Sequence, residues 1–131
     1  MELVIDTSVV LAVVANEPEK AELVRLTAGA DLIATASIPW EIGNALSAML
    51  KRNRIRLEQA KQAVDAYRQI HIRFVDVDLG QAVELSGQLG IYAYDAYLIA
   101  CAVNQHCALL TLDRGLIHAA HQAGVEVREV A

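Results

Sequence analysis

The stretch Glu2-Leu3-Val4-Ile5-Asp6-Thr7-Ser8 decides which fold the chain can adopt. Its apolar run, residues 3–5, contains two β-branched side chains and predicts a buried strand. The strand ends at an acid and two hydroxyls, and an apolar segment long enough for a helix follows over residues 9–14. Asp6 therefore lies where a strand ends and a helix begins, and open parallel sheets bind ligands just outside this end of their strands. Capping of the helix is the alternative role for a single Asp at this position.

The same alternation of short apolar runs with helical patterns continues along the chain. Further strands are predicted over residues 32–35, 73–77, 108–111 and 125–127. Helices are predicted over residues 9–14, 18–26, 39–52, 57–69, 79–89, 94–105 and 116–123. This order indicates a single α/β domain over residues 1–131, with a mostly parallel central sheet of four to five strands and helices on both faces. Helices 39–52 and 57–69 are expected to form an antiparallel pair joined by an exposed turn.

Composition limits the class of protein. The hydrophobic fraction is 55%, above the usual ~45–50%, so some apolar surface is expected to contact a partner protein or a second copy of the chain. No apolar run approaches the ~20 residues that span a bilayer, and the first 15 residues lack a basic segment typical of a signal peptide. Cys101 and Cys107 lie in apolar surroundings, which favours buried free thiols in a reducing compartment. We therefore expect a cytoplasmic protein without a membrane segment.

Charge is unevenly distributed. The net charge of −5 argues against a protein whose whole surface binds nucleic acid. One local basic cluster is present, formed by Lys51, Arg52, Arg54 and Arg56. It is either a solvated helix end or a surface that contacts phosphate groups.

Four acids are predicted to meet at one edge of the sheet. Asp6 and Asp113 each follow a strand, and parallel strands end at the same edge. Glu41 and Asp95 lie in the first turns of helices that are expected to begin there. Asn44 follows Glu41 by three residues and shares its helix face. Taken singly, each acid could instead complement a helix dipole or form a turn.

A cluster of this kind has a chemical consequence. Two carboxylates ~4 Å apart repel each other by ~4 kcal/mol at an effective dielectric constant near 20, so protons or cations must compensate the charge. Oxygen ligands without His or Cys suit Mg²⁺ or Mn²⁺. Such an ion activates water and neutralises charge on a phosphate, which favours phosphodiester hydrolysis. The sequence contains neither a Ser-His-Asp arrangement nor a phosphate-binding glycine loop of a standard type.

Four short motifs occur in a familiar order. They are Asp6-Thr7-Ser8, Pro39-Trp40-Glu41-Ile42, Tyr94-Asp95-Ala96-Tyr97-Leu98-Ile99-Ala100 and Thr111-Leu112-Asp113-Arg114-Gly115-Leu116. In this order and at these spacings, the chain resembles PIN-domain ribonucleases over essentially its whole length. It is most similar to the VapC-type toxins of toxin–antitoxin pairs.

The resemblance implies a PIN-like three-layer fold and a Mg²⁺- or Mn²⁺-dependent endoribonuclease that cleaves tRNA, rRNA or mRNA. It also implies an antitoxin protein that covers the active-site groove, and a homodimer. The acidic net charge is less expected for an enzyme that acts on RNA.

Residue roles follow from the same resemblance. Asp6 and Asp95 are expected to be the principal metal ligands, and Glu41 and Asp113 to complete the catalytic cluster directly or through water. The supporting residues are Thr7 or Ser8, which would orient Asp6 or a ligand water, and Asn44 at the rim. The candidate RNA contacts are Lys51, Arg52, Arg54, Arg56 and Arg114.

Two other functions are alternatives. A catalytically idle PIN fold could act as a binding module, although all four acids are present. A receiver-like signalling domain also gathers acids and Mg²⁺ at strand ends, and Asp76 and Asp78 are candidate phosphate acceptors. Such a domain needs a Lys after a late strand, and the three lysines of this chain, Lys20, Lys51 and Lys61, are not so placed.

Overall fold

The computed structural model describes residues 1–130, so the last residue of the predicted domain lies outside the described part. The strands are β1 (Glu2–Ile5), β2 (Asp31–Thr35), β3 (Ile72–Val75), β4 (Ala108–Leu110) and β5 (Val127–Arg128). The helices are α1 (Thr7–Val14), α2 (Lys20–Thr27), α3 (Ile38–Lys51), α4 (Leu57–Arg68), α5 (Leu79–Leu89), α6 (Ala93–Gln105) and α7 (Arg114–Gln122).

The five strands form one parallel sheet in the order β3-β2-β1-β4-β5. β1 is the central strand, with Val4 paired to Ile33 of β2 and to Leu109 of β4. The predicted parallel α/β sheet is thus confirmed. Its order differs from the 2-1-3-4-5 order of flavodoxin-like folds, which the receiver-like alternative requires.

Two apolar cores cover the two faces of the sheet. Successive strand residues point to opposite faces, so Leu3 and Ile5 pack with α1 to α4, whereas Val4 packs with α6 and α7. Leu3 and Val4 are completely buried. Helix, sheet and helix therefore form three layers, and the carboxyl end of β1 lies at the centre of the carboxyl edge of the sheet.

Several predicted boundaries were wrong by one or two residues, and four elements show a clear local reason. α1 and α7 both begin two residues earlier than predicted, because Asp6 and Asp113 cap them directly. β3 ends at Val75 instead of residue 77, since the chain turns there to let Asp78 accept a hydrogen bond from the first turn of α5. β5 begins at residue 127 instead of 125, because the Val125 N–H still bonds to the end of α7.

Packing around α3 and α4 leaves the basic cluster in water. The two helices contact each other beside the sheet, and all four cluster residues are exposed in and around the turn between them.

Both cysteines are free, but Cys101 is buried whereas Cys107 is only half-buried. No helix within residues 1–130 has the length and apolarity needed to cross a bilayer.

Candidate active site

Asp6 forms the floor of the site. It follows β1, is only 7% exposed and caps α1 by accepting a hydrogen bond from the Val9 N–H at 3.3 Å. Ser8 Oγ donates to Asp6 Oδ1 at 2.7 Å, and Thr111 Oγ1 donates to Asp6 Oδ2 at 2.6 Å. Burial raises the pKa of Asp6 above its ordinary value, although these three hydrogen bonds oppose the shift by stabilising the charged form. Helix capping and a site role are therefore compatible at this residue.

The two hydroxyls beside Asp6 also anchor the neighbouring loop. Ser8 Oγ accepts a hydrogen bond from the Leu112 N–H at 3.0 Å, and Thr111 Oγ1 accepts one from the Asp113 N–H at 3.0 Å. The segment after β4 is thus fixed against the start of α1. Thr111 was not predicted as a site residue. The available signal was a hydroxyl at the carboxyl end of a strand that pairs with β1.

Asp113 caps α7 and also faces the other acids. Its Oδ1 accepts hydrogen bonds from the N–H groups of Gly115 at 2.9 Å and Leu116 at 3.2 Å. The side chain is exposed, and its negative charge raises the pKa values of both Asp6 and Asp95. Asp113 therefore forms a turn, as its alternative role predicted, and also contributes negative charge to the site.

Glu41 lies in the first turn of α3 and is half-buried. The Thr7 hydroxyl donates a hydrogen bond to its carboxylate, which joins α1 to α3. The two hydroxyls after Asp6 thus serve different acids, since Ser8 bonds to Asp6 and Thr7 to Glu41. Asn44 is exposed one turn later, and within residues 1–130 its side chain makes no hydrogen bond.

Asp95 lies in the first turn of α6, where burial and the charges of all three other acids raise its pKa. Burial is the largest cause of its raised pKa, followed by the charges of Asp113, Asp6 and Glu41. In the described part of the chain, every ion pair lies elsewhere, so no basic side chain there forms an ion pair with any of the four carboxylates. The arrangement concentrates uncompensated negative charge at the carboxyl edge of the sheet.

The donor chemistry of this edge fits a hard divalent cation, because all four groups offer carboxylate oxygen and two of them are destabilised by burial and mutual repulsion. No three Asp, Glu, His or Cys side chains among residues 1–130 stand, as placed, in a group that could hold a metal ion. Gathering them around an ion would therefore require side-chain rotation.

The candidate RNA contacts fall into two groups. Arg114 is exposed directly after Asp113, at the start of α7 and beside the acids. Lys51 lies ten residues after Glu41 on α3, which places it about 15 Å farther along the helix axis at 1.5 Å per residue. The basic cluster is therefore at the opposite end of α3 from the acidic site.

Comparison with known proteins identifies the fold. The family model for the PIN domain matches residues 3–122. The chain belongs to the PIN domain family. A search of curated proteins found no match.

Solved structures give the same PIN architecture at low sequence identity. PAE2754 from Pyrobaculum aerophilum is 20% identical with a TM-score of 0.73, and the alignment covers 97% of this chain and 83% of that one. VapBC2 from Rickettsia felis, bound to a DNA fragment from its promoter, is 14% identical with a TM-score of 0.66. That alignment covers 98% of each chain. These similarities show the shared fold.

Proposed function

We propose that this PIN domain is a Mg²⁺- or Mn²⁺-dependent endoribonuclease and the toxin of a toxin–antitoxin pair. PIN domains are generally nucleases. The observation that carries the proposal is the proximity of four carboxylates without an ion-pair partner among residues 1–130: the charges of Asp6, Glu41 and Asp113 all act on Asp95. Helix capping alone does not explain why these carboxylates lie close together without a compensating charge, because each capping residue functions without the others.

When bound, a divalent ion at this edge would lower the pKa of a coordinated water and neutralise charge on the scissile phosphate. Asp6 and Asp95 are the residues proposed to hold it, with Glu41 and Asp113 completing the set. Ser8 and Thr111 hold the Asp6 carboxylate in one orientation through their hydrogen bonds. Thr7 does the same for Glu41. Fixed orientation matters because misplaced ligands or substrates reduce rates sharply.

The toxin assignment has two supports. The fold is shared with VapBC2, whose name denotes a toxin–antitoxin complex. An apolar cavity of about 450 Å³ also opens between α1 and α3, from Ser8 and Leu112 beside the site to Arg52 in the basic cluster. We propose that an antitoxin segment occupies this groove, that the chain forms a homodimer and that it acts in the cytoplasm.

The proposal is tested by cleavage of a panel of tRNA, rRNA and mRNA substrates with Mg²⁺ or Mn²⁺, and again with a chelator. We expect cleavage that requires the ion and is lost in Asp6→Asn and Asp95→Asn by at least about 100-fold, since residues that only orient metal ligands already contribute about 10–100-fold. Asp31→Asn is the matched control, because Asp31 is exposed at the opposite end of the sheet, at the start of β2.

The alternative of an idle PIN-fold binding module makes a different prediction. It expects no divalent-ion binding in a calorimetric titration and no RNA cleavage under any ionic condition. Chelator-resistant cleavage that persists in Asp6→Asn would exclude metal catalysis at this site.

A further inference from the structure

Three aromatic side chains close in sequence to Glu41 and Asp95 are exposed to water. Trp40 is 77% exposed, Tyr92 is 88% exposed and Tyr94 is 63% exposed. The chain contains only six Phe, Trp and Tyr residues, so half of them are used here and not in the core. Because large aromatic side chains normally bury most of their surface, such exposure indicates a contact surface.

Their positions tie them to the carboxylates. Trp40 directly precedes Glu41 in the first turn of α3, and Tyr94 directly precedes Asp95 in the first turn of α6. Tyr92 occupies the N-cap position of α6. Consecutive Cα atoms are 3.8 Å apart, and Glu41 and Asp95 are close enough for one charge to raise the pKa of the other. The backbone positions of the three aromatics therefore lie within a few residues of two of the site acids, at the starts of two different helices.

We propose that Trp40, Tyr94 and Tyr92 form a stacking surface for unpaired bases of the RNA next to the scissile phosphate. The inference rests on the proposed nuclease function. Bases of a duplex are stacked on each other and cannot also stack on a protein, whereas unpaired bases stack readily on aromatic rings.

A protein partner is the competing occupant of exposed aromatics, and the distribution of apolar surface argues against it here. The groove between α1 and α3, lined mainly by Leu and Ala side chains, contains no aromatic residue. The aromatics are instead placed next to acids that act on phosphodiesters under the proposed function. Stacking also requires no positive charge, which agrees with the acidic net charge of the chain.

Trp40 is the only tryptophan in the sequence, so its fluorescence reports on this surface alone. The experiment titrates the full chain, with chelator present to prevent cleavage, with a short single-stranded RNA, its duplex form and an abasic oligonucleotide of equal length. We expect quenching by the single strand and little change with the other two. Equal quenching by the abasic oligonucleotide, or none by any single strand, would overturn the inference.

Substitutions measure how much the aromatic side chains contribute to RNA affinity. With labelled single-stranded RNA, Trp40→Ala is expected to raise Kd by roughly 5- to 150-fold, the range expected for loss of one base–aromatic stack. Trp40→Phe should recover most of this loss, and Tyr94→Ala should weaken binding in the same range. Val24→Ala, at an exposed apolar residue of α2, should leave Kd unchanged. A Trp40→Ala protein with wild-type Kd and KM would contradict the proposal.

The outcomes separate the two proposals. Quenching and aromatic-dependent binding without any metal-dependent cleavage would retain the stacking surface and remove the nuclease. Metal-dependent cleavage that is indifferent to Trp40 and Tyr94 would retain the nuclease and remove the stacking surface. Fluorescence that responds to a purified antitoxin but to no RNA would assign the aromatics to a protein interface and overturn the inference.

Discussion

Thr111 Oγ1 lies 2.6 Å from Asp6 Oδ2, a hydrogen bond between residues 105 positions apart in the chain. It connects the end of β4 to the end of β1 at the most buried carboxylate of the site. The same hydroxyl accepts a hydrogen bond from the Asp113 N–H at 3.0 Å, so one buried side chain positions two of the four acids.

Removal of this hydroxyl in Thr111→Val should destabilise the protein by about 1–3 kcal/mol, the usual effect of leaving buried polar groups without partners. It should also raise the pKa of Asp6 further, because the Thr111 hydrogen bond lowers it. Urea denaturation measures the first effect, and Mn²⁺ binding as a function of pH measures the second, with the midpoint expected at higher pH. Thr111→Ser is the control that keeps the hydroxyl. A Val variant equal to wild type in both measurements would contradict this role.

Charge repulsion predicts that Asp95→Asn stabilises the metal-free protein at neutral pH. An unfolded Asp titrates near 3.9, and the folded pKa of Asp95 is higher. Between the two values the folded state binds more protons, so this residue's contribution to stability falls as pH rises. The Asn side chain does not ionise, so the variant does not lose stability in this way as pH rises. Its advantage in Tm over wild type should therefore be small below pH 4 and grow toward pH 7.

The effect of Mn²⁺ on Tm gives a second check of the Asp95 prediction. Added Mn²⁺ should raise the Tm of the wild type more than that of Asp95→Asn, because only the wild type keeps this ligand. Asp65→Asn is the matched control, since Asp65 is an exposed residue of α4 paired with Arg68 at 3.6 Å. An Asp95→Asn protein that is less stable than wild type at pH 7 without metal would disagree with the repulsion argument.

Orientation of Glu41 by Thr7 can be tested separately from folding. Thr7→Val keeps the side-chain shape but removes the donor to the Glu41 carboxylate. We expect roughly a 10-fold lower kcat, at the low end of the 10–100-fold effect of losing a partner that orients a metal ligand. Thr7→Ser should retain activity. Equal kcat values for the Val and Ser variants would mean that Glu41 does not need this contact.

The basic cluster is expected to contact phosphates away from the cleavage site. The triple variant Arg52→Gln, Arg54→Gln and Arg56→Gln should raise KM without lowering kcat. If all three contact a single strand, the slope of log K against log salt should become shallower by about 2, at ~0.7 per phosphate. Arg25→Gln with Arg68→Gln, on α2 and α4, is the control pair. An unchanged slope in the triple variant would identify the cluster as a solvated helix end.

Local signals made the fold predictable. The strand of residues 3–5 and the capping position of Asp6 depend on neighbours in the sequence, and the structure has both. The role of Thr111 and the pairing of Thr7 with Glu41 were not predicted, because each needs two distant segments to be placed within hydrogen-bond distance. Strand ends were wrong where caps and turns, as at Asp78, ended pairing earlier than hydrophobicity suggested.

The position of β1 has a consequence for motion at the site. Because β1 is hydrogen-bonded on both sides and covered on both faces, its amides should exchange with solvent only when the whole domain unfolds. Asp6 is therefore a rigid reference point, because it follows this strand directly and is held by hydrogen bonds from Ser8, Val9 and Thr111. Binding of an ion would then order side chains around a carboxylate that is already fixed, so the conformational entropy of Asp6 is lost during folding and not during ion binding.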